Sequence, residues 1–476
     1  MGRISLLLTL VFVLPAPARA LTLEEFQSKL KAKMAELPGK ATASVRVEVL
    51  GRDQVLFSHN EEKKLVPASN VKLISTMAAL EKMGPGYTFE TKVFQKGNDL
   101  ILAGNGDPYL VSERLWLLAR AVARTGLKQV GTIRVNNSAF SEDYRGLMAF
   151  EKSGEPFTAM VSATSLNFNS LEVHVTPSLT GNKPKIELGP VPHKYAQLRN
   201  EVTQTGGSGK DLAIRPVSVN GNQETFVISG TIGKNASPVI LYASVNNPAS
   251  YIAHAFAALL RVEGIQVKED FGGSTFAPAD GGEKVLVSQE GPALLDLVRL
   301  QNTFSNNFMT EQVFQAFGAF SEGGAASLEK SHRAGNKFLR LRGSCRDATM
   351  ENGSGLAWET QISSHCFVET LQTSYRDFRV FADLIGSLPV GGQTGSLKSR
   401  FKRVGPGFEP WKVRAKTGTL WSKQAVSSLV GFTQSASGET IVFSLIENDK
   451  RNDPGLLRGM KDWEDRCVEL MQQLKL

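Results

Sequence analysis

The chain has 476 residues, 41% hydrophobic and 21% charged, a length suited to two or three globular domains. Three cysteines exclude a disulfide scaffold, and no Cys or His pair has zinc-ligand spacing. The formal charge of +8 favours an anionic polymer or membrane surface without naming a partner, and nucleic acid is not expected to be one.

Residues 1–20 read as a secretory signal peptide: Arg3, the apolar run "LLLTLVFVL", then Ala18-Arg19-Ala20, with cleavage expected after Ala20. No later stretch holds eighteen uninterrupted apolar residues, so no transmembrane segment is expected and the mature chain should be exported, to a periplasm. Next, "LTLEEFQSKLKAKMAEL" has helical periodicity, and "ATASVRVEVL" and "QVLFSHN" alternate as a hairpin around Gly51-Arg52-Asp53. A mostly apolar helix follows, opening at Pro67-Ala68-Ser69 and closing at Gly84-Pro85-Gly86. From 88 to 286 the texture changes to short strands separated by Gly, Asn and Pro turns, with helices at "SERLWLLARAVARTG" and "PASYIAHAFAALLRVEG". This reads as an insertion of two strand-rich domains. From 287 to 476 helices return, then the strands "AVSSLVGFTQ" and "ETIVFSLIEN" and a last helix around "GMKDWEDRCVELMQQL". The fold class is multi-domain α/β, with segments 21–87 and 287–476 closing into one domain around the insertion. Cys345 and Cys366, twenty-one apart, could pair in an oxidising compartment, which leaves Cys467 over.

Three short motifs carry chemistry. Ser69 and Lys72 stand three apart on a helix, so both point the same way. A serine hydroxyl needs a base, and a lysine is one only when burial or a neighbouring cation lowers its pKa. Alone the spacing is weak: it recurs at Ser28/Lys31, Ser327/Lys330 and Ser399/Lys402, where a cap or a surface lysine suffices. The second motif, Ser305-Asn306-Asn307, joins two helical stretches, so Ser305 can relay a proton and Asn307 can hold an amide. The third, Lys416-Thr417-Gly418-Thr419, enters a strand and suits a carboxylate. Their order and contexts make the set far more specific than its parts.

With these motifs the sequence resembles the class C low-molecular-mass penicillin-binding proteins, the D-Ala-D-Ala carboxypeptidase/endopeptidase family that includes type-4 penicillin-binding proteins. The long insertion, "LAGNGDPYL", "NGSGL" at 352–356 and "LPVGGQTGSLKSRF" extend the likeness over nearly all of the mature chain. The resemblance implies a β-lactamase/transpeptidase-like domain, peptidoglycan stem peptides as substrate, β-lactams as covalent inhibitors, and no cofactor or metal. It implies Ser69 as the acylated nucleophile, Lys72 as its base and Ser305 as the relay. Asn307, Lys416, Thr417 and Thr419 would bind substrate, and the backbone N–H groups of Ser69 and Thr419 would form the oxyanion hole. Asn352 and Thr394 stand where the family usually has aspartate. Glu155 is the acidic residue nearest the place where relatives grip the amino end of the stem-peptide side chain. A non-catalytic peptidoglycan-binding protein and a serine β-lactamase are the alternatives. Oligomeric state is open, a homodimer being one option. The insertion, which holds none of the three motifs, is expected to govern admission of polymer more than acylation.

Overall fold

The computed structural model describes residues 20–142, 154–181, 183–278 and 281–476; apart from Ala20, the expected leader lies outside them. Helix α1 (Leu23–Ala35) starts at a capping box, Thr22 Oγ1 accepting from Glu25 N–H while the Glu25 carboxylate accepts from Thr22 N–H. The hairpin strands β1 (Thr42–Val49) and β2 (Val55–His59) follow, then α2 (Val71–Met83).

The insertion supplies β3 (Thr88–Lys96), β4 (Asp99–Gly104), α3 (Ser112–Ala123), β5 (Gln129–Asn136), β6 (Ser170–Thr176) and β7 (Lys185–Gly189). It continues with β8 (Ala196–Thr205), β9 (Lys210–Asn220), β10 (Gln223–Gly233), β11 (Val239–Ser244), α4 (Pro248–Val262), β12 (Gln266–Glu269), β13 (Ser274–Thr275) and β14 (Lys284–Ala293). After it come α5 (Leu294–Phe304), α6 (Asn307–Glu322), α7 (Leu328–Arg340), α8 (Ser364–Tyr375), α9 (Phe378–Ser387), β15 (Arg414–Leu420), β16 (Ala425–Gln434), β17 (Thr440–Asp449) and α10 (Pro454–Gln473).

The two ends of the sequence share one antiparallel sheet, ordered β15-β16-β17-β1-β2, with Thr42 opposite Asn448. Both its faces are covered. Ile441, Phe443 and Leu445 of β17 pack with α1 and α10, while Val442 and Ile446 pack with α2, α6 and α8. Double coverage explains why β16 and β17 are buried almost end to end rather than alternately. Helix α2 is buried from Val71 to Leu80, so every side chain it carries there, Lys72 included, is removed from water.

The insertion builds a mixed sheet β12-β5-β4-β3-β14 and two three-stranded sheets, β8-β10-β9 and β11-β6-β7. A separate core of Val, Leu, Ile and aromatic side chains lies beneath α3 and α4. Cys345 and Cys366 form a disulfide, and Cys467 is a buried thiol. No helix among the described residues is long and apolar enough to cross a membrane.

Candidate active site

Ser69 does not cap α2. It lies in a 3₁₀ turn, Ala68–Asn70, one step ahead of that helix, and Asn70 takes the cap position without a side-chain cap bond. The reason is local: Ala68 adopts φ 48°, a left-handed conformation that costs an L-residue about 1–2 kcal/mol. That kink turns the Pro67 carbonyl towards Asn70 N–H (3.3 Å) and the Ser428 hydroxyl (2.7 Å). It leaves the Ser69 side chain partly exposed in an otherwise buried stretch.

Two glycines let neighbouring segments close on this turn. A Cβ on Gly355 would lie 1.9 Å from the Ala68 carbonyl oxygen, and one on Gly418 would lie 2.4 Å from that of Pro67. Only a bare backbone fits at either place, so β15 and the 352–355 loop press on the serine turn from two sides.

Lys72, fully buried, donates from Nζ to Ser69 Oγ (2.9 Å), Asn307 Oδ1 (2.7 Å) and the Ser354 carbonyl (2.8 Å). Burial, reinforced by the charge of Lys416 and partly offset by Glu311, holds its pKa well below the ordinary lysine value. Ser305 ends α5 in a left-handed conformation, φ 56°, and Asn306 opens α6 by accepting from Met309 N–H (2.9 Å). This tight reversal places Ser305 and Asn307 on one cleft. Ser305 Oγ accepts from Lys416 Nζ at 2.8 Å. Lys416 is also fully buried, and burial pulls its pKa down to about 7. Thr417 Oγ1 donates to Ser396 Oγ (2.9 Å), and Thr419 lies half-buried farther along the edge strand.

The structure thus links two hydrogen-bonded groups, Ser69–Lys72–Asn307 and Ser305–Lys416, into one cleft. Four residues outside the motifs support this arrangement. Glu311, one turn beyond Asn307 on α6, accepts from Ser354 N–H (2.8 Å) and Gly353 N–H (3.3 Å) and so fixes the loop whose carbonyl holds Lys72. Ser354 supplies that carbonyl. Asn352 accepts from Gly355 N–H (3.0 Å) and shapes the same loop, while Thr394 Oγ1 accepts from Val390 N–H (2.8 Å) in a neighbouring turn. Both therefore do backbone work. A cavity of about 610 Å³ adjoins Ser305 and Asn307; Glu113, Glu172, Phe157, Phe168 and Phe304 line it. The carboxylates facing it come from α3 and β6 and were not visible as a pair in sequence; Glu155 is exposed at the start of the 156–158 turn.

Residues 26–467 match the model of the D-Ala-D-Ala carboxypeptidase 3 (S13) family. A D-alanyl-D-alanine carboxypeptidase of Actinomadura sp. strain R39 is 30% identical over 435 residues, covering 86% of this chain and 78% of that protein. The D-alanyl-D-alanine carboxypeptidase DacB of Haemophilus influenzae is 23% identical over 86% of this chain and 85% of its own. The crystal structure of penicillin-binding protein 4 (dacB) from H. influenzae shares the fold, with a TM-score of 0.75 and 21% identity over 92% of this chain and 99% of that one. A match spanning both ends of the sequence and the insertion between them settles the assignment: the chain belongs to the D-Ala-D-Ala carboxypeptidase 3 (S13) family of serine-type DD-peptidases.

Proposed function

We propose that this enzyme cleaves the D-Ala-D-Ala bond of peptidoglycan stem peptides through an acyl-enzyme on Ser69, and that β-lactams acylate the same oxygen. The observation that carries this reading is the buried lysine, depressed in pKa, held 2.9 Å from the Ser69 hydroxyl. Lys72 in its neutral form takes the Ser69 proton as Oγ attacks the penultimate D-Ala carbonyl. The N–H groups of Ser69 and Thr419 receive the developing oxyanion. Ser305, bonded to Lys416, relays that proton from Lys72 to the departing D-Ala nitrogen as the C–N bond breaks, which leaves Ser305 protonated and Lys72 neutral again. Water then attacks the ester, returning the proton to Ser69 and releasing the shortened peptide. Asn307 holds the substrate amide, while Lys416, Thr417 and Thr419 bind the terminal carboxylate. The acidic wall formed by Glu113 and Glu172 suits an ammonium group on the stem-peptide side chain. The H. influenzae protein of shared fold has been crystallised in complex with a β-lactam, which supports the inhibitor reading. The leader reading supports a periplasmic setting.

The test is labelling by a fluorescent penicillin together with D-Ala release from a pentapeptide. Ser69→Ala should lose both while its melting temperature holds, because Ser69 makes no helix-cap bond. A penicilloyl group still found on Ser69→Ala would end this reading.

A further inference from the structure

We propose that the insertion supplies a positioning element for the catalytic motif: the Phe157 carbonyl fixes which way the Asn307 amide faces. The inference rests on the role given above to Asn307. Its single oxygen accepts from Lys72 Nζ at 2.7 Å, and its Nδ2 donates to the Phe157 carbonyl at 3.1 Å. A carboxamide can sit in two orientations related by a half-turn. In the neutral form that the proposed reaction requires, Lys72 could accept as well as donate, so it does not choose between them unaided. The Phe157 carbonyl only accepts. It therefore selects the orientation with Nδ2 towards the insertion and Oδ1 towards Lys72. The reverse orientation sets oxygen against oxygen. Of the two N–H groups on Nδ2, one is used by Phe157, and the other is left to donate to a substrate carbonyl.

The acceptor is rigidly mounted. Thr158, fully buried, donates from both N–H (3.0 Å) and Oγ1 (2.9 Å) to the Glu155 carbonyl, and Ala159 N–H closes on Pro156 (3.2 Å). Ser244 N–H of β11 donates to the Gly154 carbonyl (2.8 Å), tying the turn to an insertion sheet. From the other side Gln312, on the same helix as Asn307, donates to the Ser162 carbonyl (2.9 Å) and Ser165 Oγ (3.2 Å). A continuous path of hydrogen bonds thus runs from sheet β11-β6-β7 through residues 154–159 to Asn307, Lys72 and Ser69. No sequence pattern marks this contact, since the acceptor is a main-chain oxygen 150 residues from its partner.

Thr158→Val keeps the side-chain shape and removes one bond that anchors the turn. We expect the rate of acylation by fluorescent penicillin to fall roughly ten- to a hundredfold, the scale of a small misplacement in a site, with the melting temperature nearly unchanged. The acid limb of the pH–acylation profile should move down by about 0.5–1 pH unit, because Asn307 Oδ1 no longer favours protonated Lys72. Asn307→Asp in the wild-type frame faces a carboxylate oxygen to the Phe157 carbonyl. Its penalty should shrink when combined with Thr158→Val, a non-additive cycle that a purely structural role does not produce. If Thr158→Val does not fold, Pro156→Gly loosens the same turn and is read in the same three ways. An unchanged rate and pH profile, or losses that multiply independently with Asn307→Asp, overturn the proposal. Labelling of wild type at Ser69 in the same experiment keeps the parent reading standing if only this one fails.

Discussion

At the scale of single residues, the proposed reaction asks the two buried lysines to divide the labour by charge state. Lys72→Arg should acylate nearly as poorly as Lys72→Ala, since a guanidinium keeps its proton in a protein and cannot act as a base. Stopped-flow acylation checks this; a near-normal rate in the arginine variant would reduce Lys72 to an electrostatic support. The carboxylate role proposed for Lys416 needs the opposite form. With a pKa of about 7 in the free enzyme, it is mostly protonated below that pH and mostly neutral above it. A carboxylate-ended substrate needs the ammonium, so its kcat/KM should fall up to about tenfold per pH unit above roughly pH 7. A D-Ala-amide substrate should lack that alkaline limb. Equal profiles for both substrates would remove the carboxylate role. Ser69, Lys72, Ser305, Asn307 and Lys416 were legible because each sits in a motif of three or four residues. Glu311 and Ser354 were not. A glutamate inside an amphipathic helix looks like any solvated one until the fold buries it against a loop that lies 43 residues downstream.

At the scale of elements, the site depends on how closely two segments, β15 and the 352–355 loop, approach one turn. Gly355 has φ 81° and no room for a Cβ. Gly355→Ala should therefore cost about 1–3 kcal/mol in stability and slow acylation at least tenfold, because the 352–355 loop must retreat from Ala68 and take the Ser354 carbonyl away from Lys72. Thermal unfolding and labelling rates together check both halves. Strands with an apolar rhythm, such as β16 and β17, could be read directly. β9 resists such a reading: Pro216 lies within it, and its side chains are mostly exposed. The structure resolves the conflict by placing β9 at the edge of β8-β10-β9, where a missing N–H costs little. The 3₁₀ turn at Ser69 was likewise hidden, because nothing in Pro-Ala-Ser announces a left-handed alanine.

At the scale of the whole molecule, the insertion is bonded directly to the candidate site. The sequence reading assigned it to substrate admission, because it holds none of the motifs. The hydrogen bonds from Asn307 and Gln312 to its backbone show that it also touches the catalytic helix α6 directly. Elsewhere the catalytic half is braced covalently. The Cys345–Cys366 disulfide closes a loop of twenty-one residues, and replacing both cysteines by alanine should cost about 3 kcal/mol. An unfolding free energy from chemical denaturation lowered by that amount, with acylation of the folded fraction retained, is the expected result.

The pairing of β1 with β17 also has a consequence in time. Strand β1 leaves the ribosome well before its partner, which begins at Thr440. At about 5–20 residues per second, the first hairpin waits roughly 20–80 s for the strand that completes its sheet. Lys416 and Thr419 arrive only shortly before that strand. A nascent chain therefore holds Ser69 and Lys72 without the strand against which the serine turn is built until β15 has been made.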